Sequence, residues 1–79
     1  MRVLFFAQIR DAAGTSELEL KLSRHSGLEE IWRVLITAQP ALAPFQASTR
    51  LARNGEYTDG KTIFSDTDEV ALIPPVSGG

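Results

Sequence analysis

Residues 26–40, which read SGLEEIWRVLITAQP, contain the most regular helical pattern in the sequence. Ser26 is predicted to be the N-cap, and Glu29 three residues later completes a capping box. The apolar residues that share one helix face recur at i, i+3, i+4 and i+7: Leu28, Ile31, Trp32 and Leu35. Because Pro40 cannot continue a helix and restricts the residue before it, the helix is expected to end near Thr37 or Ala38.

Strand-like segments flank this helix on both sides. Before it, residues 2–9 are rich in large apolar side chains, and residues 17–22 alternate between charged residues and leucine. After it, four strands are predicted, at residues 48–53, 56–57, 62–64 and 69–73. This order predicts an α+β fold, a mixed sheet with one main helix packed on one face. If the first and last strands lie side by side at the sheet centre, the topology is the ubiquitin-like β-grasp.

The connections between these elements carry turn and loop signals. Residues 10–15 read as a loop in which Gly14 is free to adopt a positive φ. Two dipeptides predict tight turns, Asn54-Gly55 and Asp59-Gly60. The Pro- and Ala-rich connection at residues 40–47 contains two apolar residues that are expected to anchor it to the core, Leu42 and Phe45.

Composition excludes several classes of protein. The chain has 79 residues, no cysteine and a single histidine, His25. One domain is therefore expected at residues 1–73, without disulfides, a thiolate zinc site or an iron–sulfur cluster, and no metal site is predicted. Since so few reactive side chains are present, a self-sufficient enzyme is not expected. Any chemistry should involve the backbone, the termini or a partner.

Charge and hydropathy narrow the expected partners. Eight Lys and Arg against ten Asp and Glu give a formal net charge of −2, which does not favour nucleic acid. Arg50 and Arg53 are read as solvated residues of a strand. No apolar run approaches the ~20 residues that span a bilayer, so no membrane partner is expected. Residues 3–7 are too short an apolar segment for a signal peptide, and a cytoplasmic location is predicted.

The last six residues form a distinctive tail, Pro74, Pro75, Val76, Ser77, Gly78 and Gly79. Two prolines favour an extended backbone, and six extended residues reach at most ~20 Å. Two residues without a Cβ then allow the tail to enter a narrow channel and present a terminal carboxylate. Activated as an acyl adenylate in another enzyme, that carboxylate would become an electrophile for a sulfur donor. The alternative is a frayed terminus without function.

Both ends of the chain resemble the small, sulfur-carrier subunits of molybdopterin synthase. Residues 3–10, VLFFAQIR, followed by Gly14, are similar to the family's opening strand and loop. Residues 68–79, DEVALIPPVSGG, are similar to its closing signature, and Asn54 occupies the position of the family's turn asparagine. Thr67 and Arg53 depart from the family, which usually has glycine and an apolar residue there. A positive φ would strain Thr67, and Arg53 is expected to point partly inward.

The resemblance implies a defined role for Gly79. In this family an E1-like adenylyltransferase uses ATP to adenylate the terminal glycine, and a sulfur donor enzyme converts it to a thiocarboxylate. The tail then enters the large synthase subunit, expected in a 2:2 complex, which transfers the sulfur to a cyclic pyranopterin phosphate. The small subunit is a non-catalytic sulfur donor that binds no cofactor by itself.

A docking surface follows from strand alternation. With the helix covering one sheet face, the core is expected to contain Val3, Phe5, Leu18, Leu20, Leu22, Leu51, Val70 and Leu72. The alternate residues then share the uncovered face: Leu4, Phe6, Ala71 and Ile73. An exposed apolar patch beside the tail indicates a partner-binding surface, unless a loop covers Leu4 or Phe6. The resemblance places Phe6, Arg10, Tyr57 and Ile73 on or near that surface.

Three other functions remain open at this point. The chain could be a Gly-Gly sulfur carrier of the thiamin or cysteine pathway type. It could be a ubiquitin-like modifier conjugated through Gly79 to lysines of other proteins. It could also be a plain interaction domain that uses the Phe6 and Ile73 face and has an inert tail.

Overall fold

The computed structural model describes residues 1–75. Its elements, in chain order, are strand β1 (Arg2–Phe5), helix α1 (Ala7–Ala13), strand β2 (Glu17–Glu19), helix α2 (Leu28–Ala38), a 3₁₀ helix (Pro40–Phe45), strand β3 (Arg50–Arg53), strand β4 (Glu56–Tyr57) and strand β5 (Glu69–Ile73).

The five strands form one mixed sheet in the order β2-β1-β5-β3-β4. β1 and β5, the first and last strands, run parallel at the centre, and the other neighbours are antiparallel. The register sets Val3 opposite Val70 and Leu51 opposite Leu72. The predicted α+β architecture with β-grasp topology is confirmed.

Helix α2 buries its predicted stripe against this sheet. Ile31, Trp32 and Leu35 are buried, and Leu28 packs against the core from its edge. From the sheet come the predicted core residues Val3, Phe5, Leu51, Val70 and Leu72, whereas Leu18, Leu20 and Leu22 are only half-buried. These three leucines lie on or beyond β2, an edge strand, where the helix cannot cover them fully.

The first strand is shorter than predicted, because residues 7–13 form a helix and not the end of a strand followed by a loop. The chain leaves β1 through Phe6 and turns at Ala7, which has φ 49°. Five of the seven α1 residues are good helix formers, and the turn inserts Ile9 fully into the core. Gly14, at φ 75°, ends the helix and donates its N–H to the Arg10 carbonyl.

The predicted capping box is also wrong. α2 starts one residue later than expected, with Gly27 as its N-cap and no side-chain cap. Ser26 instead exchanges two backbone hydrogen bonds with Phe64, at 3.0 and 2.8 Å. Ser26 therefore forms a long-range β-bridge at the position where the local sequence predicts a helix cap. Its partner in the bridge, Phe64, is completely buried.

Other boundaries follow the sequence with small shifts. α2 ends at Ala38, and β4 and β5 have the predicted bounds. The segment 62–64 is reduced to the Phe64 bridge, the second strand ends at Glu19, and the third begins at Arg50. The connection after α2 contains the 3₁₀ helix, through which Leu42 and Phe45 reach the core as predicted.

Candidate docking face and tail

Strand alternation divides the sheet into a face covered by α2 and an outer face. One row of Cα partners crosses the outer face through four strands: Leu4, Ala71, Ala52 and Tyr57. Ile73 extends β5 beyond this row, and Phe6 leaves the end of β1 with 44% of its surface exposed. No loop within residues 1–75 therefore closes over Phe6.

These side chains line a shallow depression of about 370 Å³. We call the set the outer patch: Leu4, Phe6, Ala52, Tyr57, Ala71 and Ile73. Gly55 and Glu69 complete the lining. The outer patch thus combines small alanines at its floor with larger apolar side chains around them, and Tyr57 is 59% exposed.

The structure brings together most of the predicted partner-binding residues. Leu4, Phe6, Tyr57, Ala71 and Ile73 all line the depression, whereas Arg10 is exposed on α1 and does not. Ala52 was not predicted from the sequence as part of this surface. Strand alternation is a sufficient signal for it, because Ala52 follows the core residue Leu51 and so lies on the opposite face of the strand. The roles of these residues in binding remain predictions.

Charged residues occupy the end of the outer face where β1 and β5 begin. Arg2 Nε donates to Glu17 Oε2 at 2.9 Å, and its Nη1 donates to Glu69 Oε2 at 3.3 Å. The hydrogen bond to Glu17 is the main reason that the pKa of Arg2 is raised. The ion pairs are exposed, so they contribute little to stability, but they supply acceptors for the N–H donors of Arg2.

The opposite end of the face carries a second arginine. The Arg50 guanidinium lies over the ring of Tyr57, with Cζ 4.0 Å from the ring centroid. In the β3–β5 register Arg50 is opposite Ile73, the last residue of β5. This arginine therefore sits where the chain leaves the sheet towards its C-terminus.

The tail begins directly at that point. β5 ends at Ile73, and Pro74 and Pro75 follow it outside any strand, since neither can donate to a ladder. Val76, Ser77, Gly78 and Gly79 lie outside the described residues. The predictions for these four residues remain predictions.

A polar junction holds β5 beside the β3–β4 turn. Asn54 has φ 50°, and its side chain donates to Asp68 Oδ1 at 3.0 Å and accepts the Glu69 N–H at 2.9 Å. Desolvation opposes ionisation of Asp68, but hydrogen bonds from the Ser65 N–H and Asn54 outweigh it and lower the pKa of Asp68. The charge of Arg53 acts in the same direction.

The structure shows how the chain accommodates the two residues that depart from the family pattern, Thr67 and Arg53. Among residues 1–75, Ala7 and Asn54 are the only non-glycine residues with a positive φ, so Thr67 is not in the strained region. Arg53 is half-buried and donates from Nη1 to the Ile63 carbonyl, which agrees with the predicted inward direction.

The described part of the chain offers no metal centre or membrane span. Residues 1–75 contain no group of three or more His, Asp or Glu side chains placed to hold a metal ion. No helix in the same range is long and apolar enough to cross a membrane.

The sheet order with a parallel central pair and one main helix on one face defines a protein of the ubiquitin-like β-grasp class. Within this class, the ThiS family model matches residues 3–79, and the chain belongs to that family. A relative from Chlamydomonas reinhardtii named molybdopterin synthase sulfur carrier subunit is 38% identical, covering 100% of this chain and 98% of the relative.

Two solved structures share the fold over nearly the whole chain. SAMP1, small archaeal modifier protein 1, from Haloferax volcanii superposes with a TM-score of 0.84 at 27% identity, covering 99% of this chain and 97% of that one. A chain from a complex of subunits 1 and 2 of molybdopterin-converting factor from Helicobacter pylori has a TM-score of 0.68 at 25% identity, covering 99% and 96%.

Proposed function

We propose that this chain is the sulfur carrier subunit of a molybdopterin synthase. The observation that carries the proposal is the position of the tail: it leaves the central strand β5 beside the exposed outer patch. Family membership and the names of full-length relatives support the same function. The docking surface then lies next to the point where the segment leading to Gly79 leaves the sheet, as a carrier subunit requires.

The chemistry is assigned to the backbone of Gly79. An E1-like adenylyltransferase activates its carboxylate with ATP and releases pyrophosphate. Sulfur at the oxidation level of hydrosulfide, supplied by a sulfur donor enzyme, attacks the acyl carbon; AMP leaves and a thiocarboxylate remains. When this sulfur is transferred to a cyclic pyranopterin phosphate, water hydrolyses the acyl–sulfur bond and returns Gly79 to the carboxylate, so the carrier is recharged in each cycle. The catalytic site belongs to the large subunit, and this chain is the non-catalytic sulfur donor.

Docking is assigned to the outer patch, and Arg10, which is exposed on α1 outside the depression, is proposed as a further contact. The Helicobacter pylori structure is a complex of two subunits, which supports a large-subunit partner here. We propose a 2:2 complex for the assembly. Residues 74–79, six residues in extended backbone, then reach at most ~20 Å from the sheet to the partner's site. The proposed pathway places the chain in the cytoplasm.

Mass spectrometry tests the proposal directly. The chain, coexpressed with its activating enzyme and sulfur donor, should gain about 16 Da, the exchange of one oxygen for sulfur, and fragmentation should place the gain at Gly79. Deletion of Gly79 should abolish the gain while thermal unfolding stays unchanged, because the buried core of the described residues is complete within residues 1–72. Lys61→Gln, an exposed change in the turn before Phe64, should acquire sulfur like the wild type.

Two outcomes would contradict the proposal. No mass gain with an active partner enzyme and sulfur source present argues against a sulfur carrier. Adducts with other proteins that resist reducing agent and require Gly79 would instead assign the chain as a protein modifier.

A further inference from the structure

The two arginines of the outer face have different surroundings. Arg2 contacts two carboxylates of its own sheet, Glu17 and Glu69. Arg50 has no carboxylate within ion-pair distance among residues 1–75, and its contact is the Tyr57 ring. The outer face therefore carries two arginines in different states. Arg2 has carboxylate acceptors within the sheet, whereas a carboxylate acceptor for Arg50 has to come from outside residues 1–75.

Stacking leaves the hydrogen-bonding edge of Arg50 available. A guanidinium that lies flat on an aromatic ring is held by cation–π attraction, while its N–H groups point outward in its own plane. No hydrogen bond from the Arg50 side chain is present within residues 1–75; the arginine side chains that donate there are those of Arg2, Arg33 and Arg53. The two parallel N–H groups through which a guanidinium binds both oxygens of a carboxylate are thus already oriented.

Orientation by Tyr57 also lowers the cost of binding. A free arginine side chain loses rotamer freedom when a partner immobilises it, which weakens binding. Here the ring restricts the side chain before any partner arrives. A solvated arginine on a bare strand would lack this restriction.

The position of Arg50 determines what a partner must offer. Tyr57 and Ile73 belong to the outer patch, and Arg50 contacts the first and lies opposite the second. A protein that covers the patch removes water from Arg50 as well. Because a desolvated cation without an acceptor is costly, the covering surface needs an anionic group there.

We propose that Arg50, oriented by Tyr57, binds a carboxylate side chain on the protein that covers the outer patch. The proposal rests on the proposed function, in which that protein is the large synthase subunit. Arg50 is then a specificity-determining residue of the docking face, at the point where the tail leaves the sheet. Tyr57 is a positioning residue for Arg50 and an apolar contact in its own right.

Calorimetric titration with the purified large subunit encoded by the same organism tests the pairing. Arg50→Gln should weaken binding by about tenfold to a hundredfold, the typical effect of losing a charge-assisted hydrogen bond. Arg50→Lys keeps the positive charge but lacks the paired N–H groups of the guanidinium. It should therefore weaken binding less than Arg50→Gln, but still measurably. Raising the salt concentration should weaken binding of the wild type more than that of Arg50→Gln.

Arg33→Gln is the matched control, since it makes the same change of charge on α2, on the opposite side of the sheet. It should bind like the wild type. Tyr57→Phe keeps the ring and should also bind nearly normally, whereas Tyr57→Leu should weaken binding. The effects of Tyr57→Leu and Arg50→Gln should be less than additive, because the ring acts partly through Arg50.

Three results would overturn the inference. Wild-type affinity of Arg50→Gln shows that no carboxylate is bound. Equal weakening by Arg50→Gln and Arg33→Gln shows a general charge effect and not a specific pair. If the wild type itself does not bind the large subunit, the proposed function fails together with the inference, and this result is distinct from the other two.

Discussion

At the scale of single residues, Asn54 makes contacts that its position in the sequence does not reveal. The Asn54-Gly55 dipeptide predicts a tight turn, and both residues indeed have positive φ, 50° and 88°. The Asn54 side chain also links the turn to Asp68 and to the Glu69 N–H at the start of β5. One side chain therefore serves both the local turn and the pairing of β3 with β5.

Substituting Asn54 separates these two contributions. Asn54→Ala places at φ 50° a residue that tolerates the left-handed region less well than asparagine, and it removes both side-chain hydrogen bonds, so it should lower the free energy of unfolding by about 2 kcal/mol. Asn54→Gly removes the same bonds without the backbone strain and should cost only about 1 kcal/mol. Denaturant unfolding measures both. Equal losses would mean that backbone strain at residue 54 is unimportant.

At the scale of elements, α1 shows where sequence patterns mislead. The large apolar residues at 3–6 suggest that the strand continues to Ile9, because Ile9 is a strong β-former. Ile9 is buried, however, by a helix that turns back onto the core beside the 3₁₀ helix. The signals for that helix are its helix-forming composition and Gly14, which sits where a helix C-cap glycine is expected.

Gly14→Ala tests the C-cap. No atom lies within 4 Å of the Cβ that the substitution would add, so the expected cost comes from the φ of 75° alone. That cost should be about 1 kcal/mol in the free energy of unfolding. Gly60→Ala is the matched control, since it also has open space but no positive φ, and it should be neutral within about 0.5 kcal/mol. Similar stability of the two variants would contradict the assigned role of Gly14.

At the scale of the whole molecule, the loop before β5 connects distant parts of the chain. Asp66 Oδ1 accepts the Leu22 N–H at 2.7 Å, 44 residues away in sequence, and this bond is the main cause that lowers the pKa of Asp66. Asp68 accepts the Ser65 N–H and contacts Asn54, and its pKa is also lowered. Both carboxyls are thus held ionised by the folded structure.

Stability should therefore fall in acid. A carboxyl whose pKa is lower in the folded chain contributes stability that is fully present above its unfolded value of 3.8, and this contribution is lost as the pH falls through the folded pKa. The free energy of unfolding, measured at a series of pH values, should decline from about pH 5 downwards. Asp66→Asn and Asp68→Asn should each flatten the decline. Lys61→Gln alters the net charge without touching these contacts and should keep the wild-type slope. An unchanged slope in both aspartate variants would contradict the assignment.

Local patterns in the sequence were enough to predict the features that depend only on residues close together in the chain. The α2 stripe, the bounds of β5, the Asn54-Gly55 turn and the two faces of the sheet all follow from periodicity and turn chemistry. The errors arose where distant residues compete with local ones. Ser26 pairs with Phe64 in place of capping α2, and the leucines after β2 lie at an edge that periodicity cannot identify.

The outer patch divides in the same way. The sequence by itself determined that Ala71 and Ile73 lie on one face of their strand, because alternation along a strand is a local property. The register of β1 with β5 places Leu4 beside Ala71. Only the tertiary structure decided that these residues form one depression with Ala52 and Tyr57, and that Arg50 lies over the Tyr57 ring, opposite Ile73, with no carboxylate of residues 1–75 within ion-pair distance. Strand register and the positions of neighbouring charges depend on contacts between segments far apart in the chain. These contacts place Arg50, for which we propose a carboxylate partner, next to the start of the tail. The tail itself can be recognised from the sequence alone.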